Sequence, residues 1–169
     1  MPMRSILFIL AALVGTAWSQ SSPVSALEMK PGDHLLIRYQ SQGCFHQTKH
    51  DLVITRTQNG AELTGIDHSP HYDAKTKLVV KDPKTPLLKT ELTEAELAKL
   101  DKSFEFLRQN PQGGCTTVND IVAVVQRGEK AVAREKFTDG TCQLDDDPQR
   151  MGFWQLVAKI TPEAKASKP

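Results

Sequence analysis

Residues 51–67 read DLVITRTQNGAELTGID, and this stretch carries the strongest local signal for the fold. Two segments with β-branched residues, 51–57 and 62–67, flank the dipeptide Asn59-Gly60. Asn-Gly between such segments is typical of a two-residue type I′ hairpin, because both central residues of that turn need positive φ. The stretch therefore predicts two antiparallel strands joined by a tight turn.

The neighbouring sequence extends this hairpin into a larger sheet. Further strands are predicted at residues 34–40, 77–81, 121–126 and 131–137. The last two are favoured as strands by their Val and Ile residues, and they flank Gly128-Glu129, a pair that suits a type II′ turn because glycine stands first. A helix is the alternative here, since Ala and Glu are plentiful in residues 127–136. We therefore expect an antiparallel sheet built from two hairpins plus extra strands.

Two separate helices are predicted, over about residues 93–109 and 148–160. In the first, Thr93 and Glu96 form a capping box, in which each side chain satisfies one free backbone N–H of the first turn. Its expected apolar stripe is Leu97, Leu100, Phe104 and Leu107.

The second helix is expected to start with Asp147 as N-cap and Pro148 at the first helical position. Its expected buried side is Phe153, Leu156, Val157 and Ile160. Strands that pair locally, with helices set apart from them, predict an α+β fold.

The N-terminal residues indicate export. Residues 1–19 combine Arg4, an apolar run over 6–14 and the small-x-small site Ala17-Trp18-Ser19, the pattern of a cleavable signal peptide. We expect a polar lead over residues 20–33, a single globular domain over 34–160 and a mobile tail over 161–169. The expected location is periplasmic or secreted, with no stable membrane insertion once the signal is removed.

The three cysteines predict one disulfide, since exported chains meet oxidising conditions. A turn at Gly128-Glu129 brings Cys115 and Cys142 together just past the open end of the second hairpin. Cys44 paired with either of the two is the alternative. Left free, Cys44 is expected as a buried thiol beside Phe45.

The five histidines all lie between His34 and His71. A two-residue turn at Asn59-Gly60 would pair His50 with Ser69, and on the opposite face it would place His68 across from Asp51. If the ladder continued past Pro70, further histidines and acids would gather at the open end of the hairpin.

That convergence is the basis of a metal hypothesis, with His46, His50, His71 and Asp73 as ligands. Imidazole and carboxylate groups suit zinc, copper or nickel, and three or four such ligands are enough. A pH-responsive surface patch is the other interpretation of the same residues.

Composition excludes several classes of function. The 169 residues carry 21 Lys and Arg against 20 Asp and Glu, which gives no broad positive surface for nucleic acid. Signatures of common exported hydrolases, such as Gly-x-Ser-x-Gly and His-Glu-x-x-His, do not occur in the sequence. No catalytic residue and no cofactor is therefore assigned.

The sequence favours an exported, non-catalytic binding or interaction module of the bacterial envelope or extracellular space. Its expected partner is a protein or small ligand of that compartment. One alternative is a periplasmic protein that binds zinc or copper through its histidines. A second alternative is a small exported hydrolase whose site is assembled by the fold.

Overall fold

The structure is a computed structural model, and it describes residues 22–162. The fold is α+β, as predicted, with a mainly antiparallel sheet and two helices. The expected signal peptide over residues 1–19 lies outside the described residues, as does nearly all of the expected tail.

The elements follow one another along the chain as nine strands and two helices within residues 22–162. The strands are β1 His34–Gln42, β2 Gln47–Arg56, β3 Ala61–Asp67, β4 His71–Asp73, β5 Leu78–Val80, β6 Thr85–Pro86, β7 Thr90–Leu92, β8 Val118–Arg127 and β9 Lys130–Asp139. The helices are α1 Glu94–Arg108 and α2 Phe153–Ile160. The main sheet has the order β6-β3-β2-β1-β8-β9, with β7 also paired to β3, and β4 and β5 form a separate two-stranded sheet.

The core lies on one face of the main sheet. β1 alternates strictly, so that Leu35, Ile37 and Tyr39 are buried while the residues between them are not. Both helices contribute buried side chains to the same apolar cluster, including Phe104 and Phe153. The period of two along each strand therefore separates a covered face from an open one.

Helix α1 confirms its sequence prediction. Thr93 is the N-cap and forms the expected capping box with Glu96. The four residues of the predicted stripe are all buried. Local capping and helical periodicity are sufficient here because they agree with the tertiary packing.

Helix α2 keeps its predicted buried side but begins later than predicted. Its N-cap is Gly152, whereas Asp147 accepts a 2.9 Å hydrogen bond from the Gln149 N–H and forms a turn. Aspartate stabilises such turns because its side chain reaches the backbone two residues on. Met151 is then fixed through its backbone to Ser103 of α1, which leaves the helix to start after it.

The hairpin of β2 and β3 is present, but its turn is two residues longer than predicted. Arg56 pairs with Ala61, and the Thr57 N–H donates to the Gly60 carbonyl at 3.0 Å. Gly60 lies against β7, where an added Cβ would be 2.8 Å from the carbonyl oxygen of Leu92. The packing of β7 against β3 therefore accompanies a wider turn than the Asn-Gly signal implies.

The longer turn changes which residues face each other. His50 pairs with Asp67 and not with Ser69 as predicted. A shift of two positions preserves the side of the sheet on which each side chain lies. The predicted faces thus hold although the predicted partners are wrong.

The segment before β1 is part of the packed domain, although we expected a polar lead there. Val24 and Ala26 are buried in the core. The Ala26 N–H donates to Asp101 Oδ1 at 2.6 Å, and the Val24 N–H donates to Glu135 Oε2 at 2.8 Å. Buried backbone groups need such partners, and the two acids come from distant parts of the chain.

We predict that Ser103→Ala lowers the free energy of unfolding by about 1–3 kcal/mol. The buried Ser103 hydroxyl donates to the Met151 carbonyl at 2.8 Å and accepts from the Met151 N–H at 3.0 Å. Alanine removes the donor to the buried Met151 carbonyl and leaves the Met151 N–H only its longer 3.3 Å bond to the Lys99 carbonyl. Urea unfolding measures the change, and the exposed Glu105→Ala on the same helix is the control. Equal stability of the two variants would contradict the prediction.

Candidate functional site

One end of the main sheet carries a pocket of about 380 Å³, which we call the end pocket. Its lining residues are Tyr39, Ser41, His46, Thr48, Thr117, Asn119, Asp139, Cys142, Leu144, Asp145 and Trp154. They come from the ends of four strands, the turn after β1, the segment after β9 and the first turn of α2.

The strand register explains why polar side chains meet here. Ser41 on β1 pairs with Thr48 on one side and with Asn119 on the other, and Asn119 pairs with Asp139 of β9. Directly paired residues point to the same side of a sheet. The core-facing positions of the four strands therefore change from apolar in the middle of the sheet to polar at this end.

A disulfide lies at the edge of the pocket. Cys115 and Cys142 are bonded, with a Cα–Cα distance of 5.6 Å, at the place predicted from the second hairpin. That hairpin closes at Arg127 and Lys130 and shifts register by a bulge near Val125. The bond ties the segment after β9 to the segment before β8, and Cys142 itself lines the pocket.

Asp139 is the most deeply buried acid of the end pocket, with 0% of the residue exposed. Its Oδ1 accepts hydrogen bonds from the Thr141 N–H at 2.9 Å and from the Thr141 hydroxyl at 2.7 Å. Its Oδ2 has no hydrogen-bond partner within residues 22–162. A buried carboxylate oxygen without a donor is costly, which makes this atom the strongest indication of a binding site.

Asp145 lines the same pocket from the segment before α2. Its carboxylate lies against Gly152, so closely that a Cβ at position 152 would overlap it. Burial raises the pKa of Asp145 above its usual value, the negative charges of Asp139 and Asp146 raise it further, and the positive charge of Arg150 lowers it. The pocket thus brings Asp145 near enough to Asp139 to be affected by its charge.

Tyr39 is also affected by the negative charges of Asp139 and Asp145. Its hydroxyl lies 3.3 Å from Asn119 Oδ1, and its ring stacks on Phe153 with the centroids 5.7 Å apart. Burial raises the pKa of Tyr39, a hydrogen bond with Ser41 lowers it, and the charges of Asp145 and Asp139 raise it again. Tyr39 therefore packs against the hydrophobic core through its ring and is also affected by the charges of the two acids.

Ser41 and His46 form a hydrogen-bonded pair in the end pocket. Ser41 Oγ and His46 Nε2 are 3.2 Å apart. The turn after β1 holds His46 in place, since its carbonyl accepts from the Gly43 N–H at 2.9 Å. A Cβ at position 43 would lie 2.6 Å from His46 Cε1, so glycine leaves the space that the imidazole occupies.

The four residues of the metal hypothesis are not brought together. His46 lines the end pocket, and His50 is buried with its Nε2 3.4 Å from Asp67 Oδ1. His71 and Asp73 belong to β4 in the separate small sheet. Within residues 22–162, no group of three or more His, Cys, Asp or Glu side chains is placed to hold a metal ion.

The predicted proximity of His68 and Asp51 is present in the structure. His68 Nε2 lies 3.5 Å from Asp51 Oδ2, and His68 Nδ1 lies 2.5 Å from Asp82 Oδ1. The hydrogen bond to His68 lowers the pKa of Asp82. Asp82 entered no sequence argument, because it comes from a loop whose position the sequence does not reveal.

Cys44 is a free thiol, but it is exposed, whereas we expected it to be buried. Its neighbour Phe45 is fully exposed as well. Both lie in the short turn between β1 and β2, which projects beyond the sheet. A turn of this length has no second layer to cover it, so the apolar character of the dipeptide does not produce burial.

The two acids of the end pocket were not predicted from the sequence. Asp139 could have been found, since it lies two residues after Phe137, the last residue of the predicted strand, and an extension of that strand points it to the core side. Asp145 lies two residues before Asp147, which we predicted as the helix N-cap. Its approach to Gly152 depends on a turn that no local pattern announces.

Comparisons of the chain with protein-family models, with curated proteins and with solved structures find no match in any of the three. Neither of the helices in residues 22–162 has the length and apolar character needed to cross a membrane.

We predict that acidification destabilises the protein partly through His50. Burial lowers the pKa of His50 below its usual 6.5, although the charge of Asp67 opposes this, and His68 adds to the lowering. The unfolded chain then binds more protons at this site, so stability falls as the pH drops from 6.5 toward the lower folded value.

Urea unfolding across this pH range measures the effect. In His50→Gln the loss of stability between neutral pH and pH 5 should be smaller than in the wild type. The exposed His71→Gln serves as the control and should retain the wild-type dependence. Identical pH profiles for His50→Gln and the wild type would exclude the assignment.

Proposed function

We propose that the chain is an exported, non-catalytic binding protein that holds a small ligand in the end pocket. The observation that carries this proposal is Asp139, a buried residue of the pocket lining whose Oδ2 has no partner among the described residues. Thr48 Oγ1 is a second unpartnered polar atom of the pocket lining. A ligand that supplied hydrogen bonds to these atoms would remove the cost of leaving them unsatisfied.

The size and lining of the end pocket suit a small molecule. Its volume of about 380 Å³ lies in the range of small-molecule sites, which combine apolar walls with a few placed polar groups. Tyr39, Leu144 and Trp154 contribute the apolar surface. The disulfide next to them restrains one wall, so that binding requires less ordering of the chain.

Export is supported by two independent features. The first 19 residues have the pattern of a cleavable signal peptide. Cys115 and Cys142 lie at disulfide distance, and such bonds persist in oxidising compartments. Both features are compatible with a periplasmic or secreted protein, the location that we propose.

We predict that Thr117→Phe abolishes small-molecule binding in the end pocket. Thr117 lines the pocket, and a phenyl ring would fill part of it. Amide spectra of the oxidised protein, titrated with millimolar small amines, alcohols, carboxylates and sugars, should show saturable shifts around the pocket in the wild type alone. Thr116→Phe places the same ring one position away, outside the pocket lining, and should behave like the wild type. If no compound shifts pocket resonances, the proposal is wrong.

A second candidate function, hydrolysis, is favoured by the Ser41–His46 pair. A serine hydroxyl within hydrogen-bond distance of an imidazole is the nucleophile-and-base arrangement of acyl transfer. Such sites also use a group that orients the base, and His46 Nδ1 has no hydrogen-bonded acceptor within residues 22–162. The arrangement is therefore less complete than the binding site around Asp139.

We predict that replacing Ser41 does not change the rate at which the protein hydrolyses 4-nitrophenyl acetate. Rates for the wild type and Ser41→Ala should agree, since nothing described orients His46 as a base. Release of nitrophenolate is followed by its absorbance, and His71→Gln controls for reaction at surface histidines. A loss of about 100-fold or more in Ser41→Ala, the effect typical of an acting general-base pair, would make hydrolysis the leading function.

A further inference from the structure

We infer that the end pocket recognises a small organic cation, with its ammonium group bound between the carboxylates of Asp139 and Asp145 and its apolar part against Trp154. This inference rests on the proposed function, because it names the class of ligand for the same pocket.

The charge of the pocket lining is one-sided. Asp139 and Asp145 both line it, whereas none of its lining residues is a lysine or an arginine. His46 is the one lining residue that can become positive, and its Nε2 already meets the Ser41 hydroxyl. Arg150 lies outside the lining, but its positive charge partly offsets the negative surroundings of Asp145. With two acids and no Lys or Arg in the lining itself, the pocket favours a positively charged ligand and disfavours an anion.

The hydrogen bonding of Asp139 favours a ligand that donates a hydrogen bond. Asp139 Oδ1 is saturated by two donors from Thr141, and Oδ2 is left as a free acceptor in a fully buried side chain. Ionised carboxylates only accept hydrogen bonds, so their missing partner must donate. An ammonium N–H supplies both the donor and the opposite charge, and charge-assisted bonds of this kind are about twice as strong as neutral ones.

The charge of Asp139 affects Asp145, an effect that a cation between the two acids would offset. The charge of Asp139 contributes to the raised pKa of Asp145, and both acids contribute to the raised pKa of Tyr39. Repulsion between like charges is relieved when an opposite charge binds near both. A bound ammonium group would therefore favour the ionised form of Asp145 and offset the repulsion from Asp139.

Aromatic surface accounts for the choice of an organic cation and not a metal ion. Trp154 lines the pocket and is 53% exposed, which leaves its ring available for contact. The apolar part of an organic ligand gains contact area against such an aromatic ring. A zinc site uses three or four ligand side chains, and the described residues offer no such group here.

A set of three probes that share one phenyl ring and are similar in size tests the inference. Benzylamine, benzyl alcohol and benzoate carry a positive, a neutral and a negative group on the same ring. The probes are titrated into the oxidised, exported protein, and binding is followed by amide spectra. The Kd of benzylamine should be the lowest of the three, about tenfold or more below that of benzyl alcohol. Binding of benzyl alcohol or benzoate as tightly as benzylamine overturns the inference.

Variants assign the effect to the two acids. Asp145→Asn should weaken benzylamine binding by about 10- to 100-fold and leave benzyl alcohol unchanged, because only the charge-assisted bond is lost. Glu129→Gln removes the same charge from the exposed turn between β8 and β9, which does not line the pocket, and should bind as the wild type does. Equal benzylamine affinity in Asp145→Asn and Glu129→Gln overturns the inference.

Two more variants keep the test decisive if one protein is unstable. Asp139→Asn retains an oxygen for the Thr141 turn and replaces the other acceptor by a donor, so it should also weaken benzylamine. Gly152→Ala retains both charges but displaces the Asp145 carboxylate, since a Cβ there overlaps it. It should weaken benzylamine as Asp145→Asn does, and unchanged affinity in both folded variants would contradict the assignment.

The outcomes separate this inference from the proposed function. If benzyl alcohol or benzoate shifts pocket resonances and Thr117→Phe abolishes the shifts, the pocket binds ligands but does not select cations. If none of the three probes shifts pocket resonances, both the ligand class and the binding function are wrong.

Discussion

The rest of the structure depends on the double pairing of β1. This strand is hydrogen-bonded over its full length to β2 on one side and to β8 on the other. Because each neighbour is in register with β1, the inward positions of all three strands fall on one face. A single shift by one residue in β1 would turn Leu35, Ile37 and Tyr39 outward, and no covered core would remain.

The same register that builds the core also builds the end pocket. Ser41, Thr48, Asn119 and Asp139 continue the inward rows of their strands past the apolar part. The polar ends of these rows line the end pocket together with the loop after β9 and the start of α2. The disulfide and the close contact of Asp145 with Gly152 hold that loop in place. The site therefore lies on rigid elements, which is the arrangement that keeps polar groups in place for a ligand.

The packed region and the end pocket differ in whether their buried polar groups have hydrogen-bond partners. In the packed region Ser103, Asp101 and Glu135 each satisfy backbone groups of distant segments. In the end pocket Asp139 Oδ2 and Thr48 Oγ1 have no partner among the described residues. Proteins tolerate such local violations chiefly at functional sites, where a ligand supplies the missing interaction. His50 Nδ1, His68 Nε2 and Arg150 Nε also lack a hydrogen-bond partner among the described residues, but they do not belong to the pocket lining. We assign function to the end pocket because Asp139 and Thr48 line the same pocket.

The sequence by itself determined the elements whose signals are local. The capping box of Thr93 and Glu96, the buried stripe of α1 and the hairpin at Gly128 all follow from residues a few positions apart. It also located the Cys115–Cys142 pair, since hairpin register extends a local turn to distant residues. Tertiary structure alone decided the wider turn before Gly60, the late start of α2 and the separation of His71 from His50. Each of these depends on a contact between segments far apart in the chain, such as Leu92 with Gly60 or Met151 with Ser103, and local preference is too weak to specify such contacts.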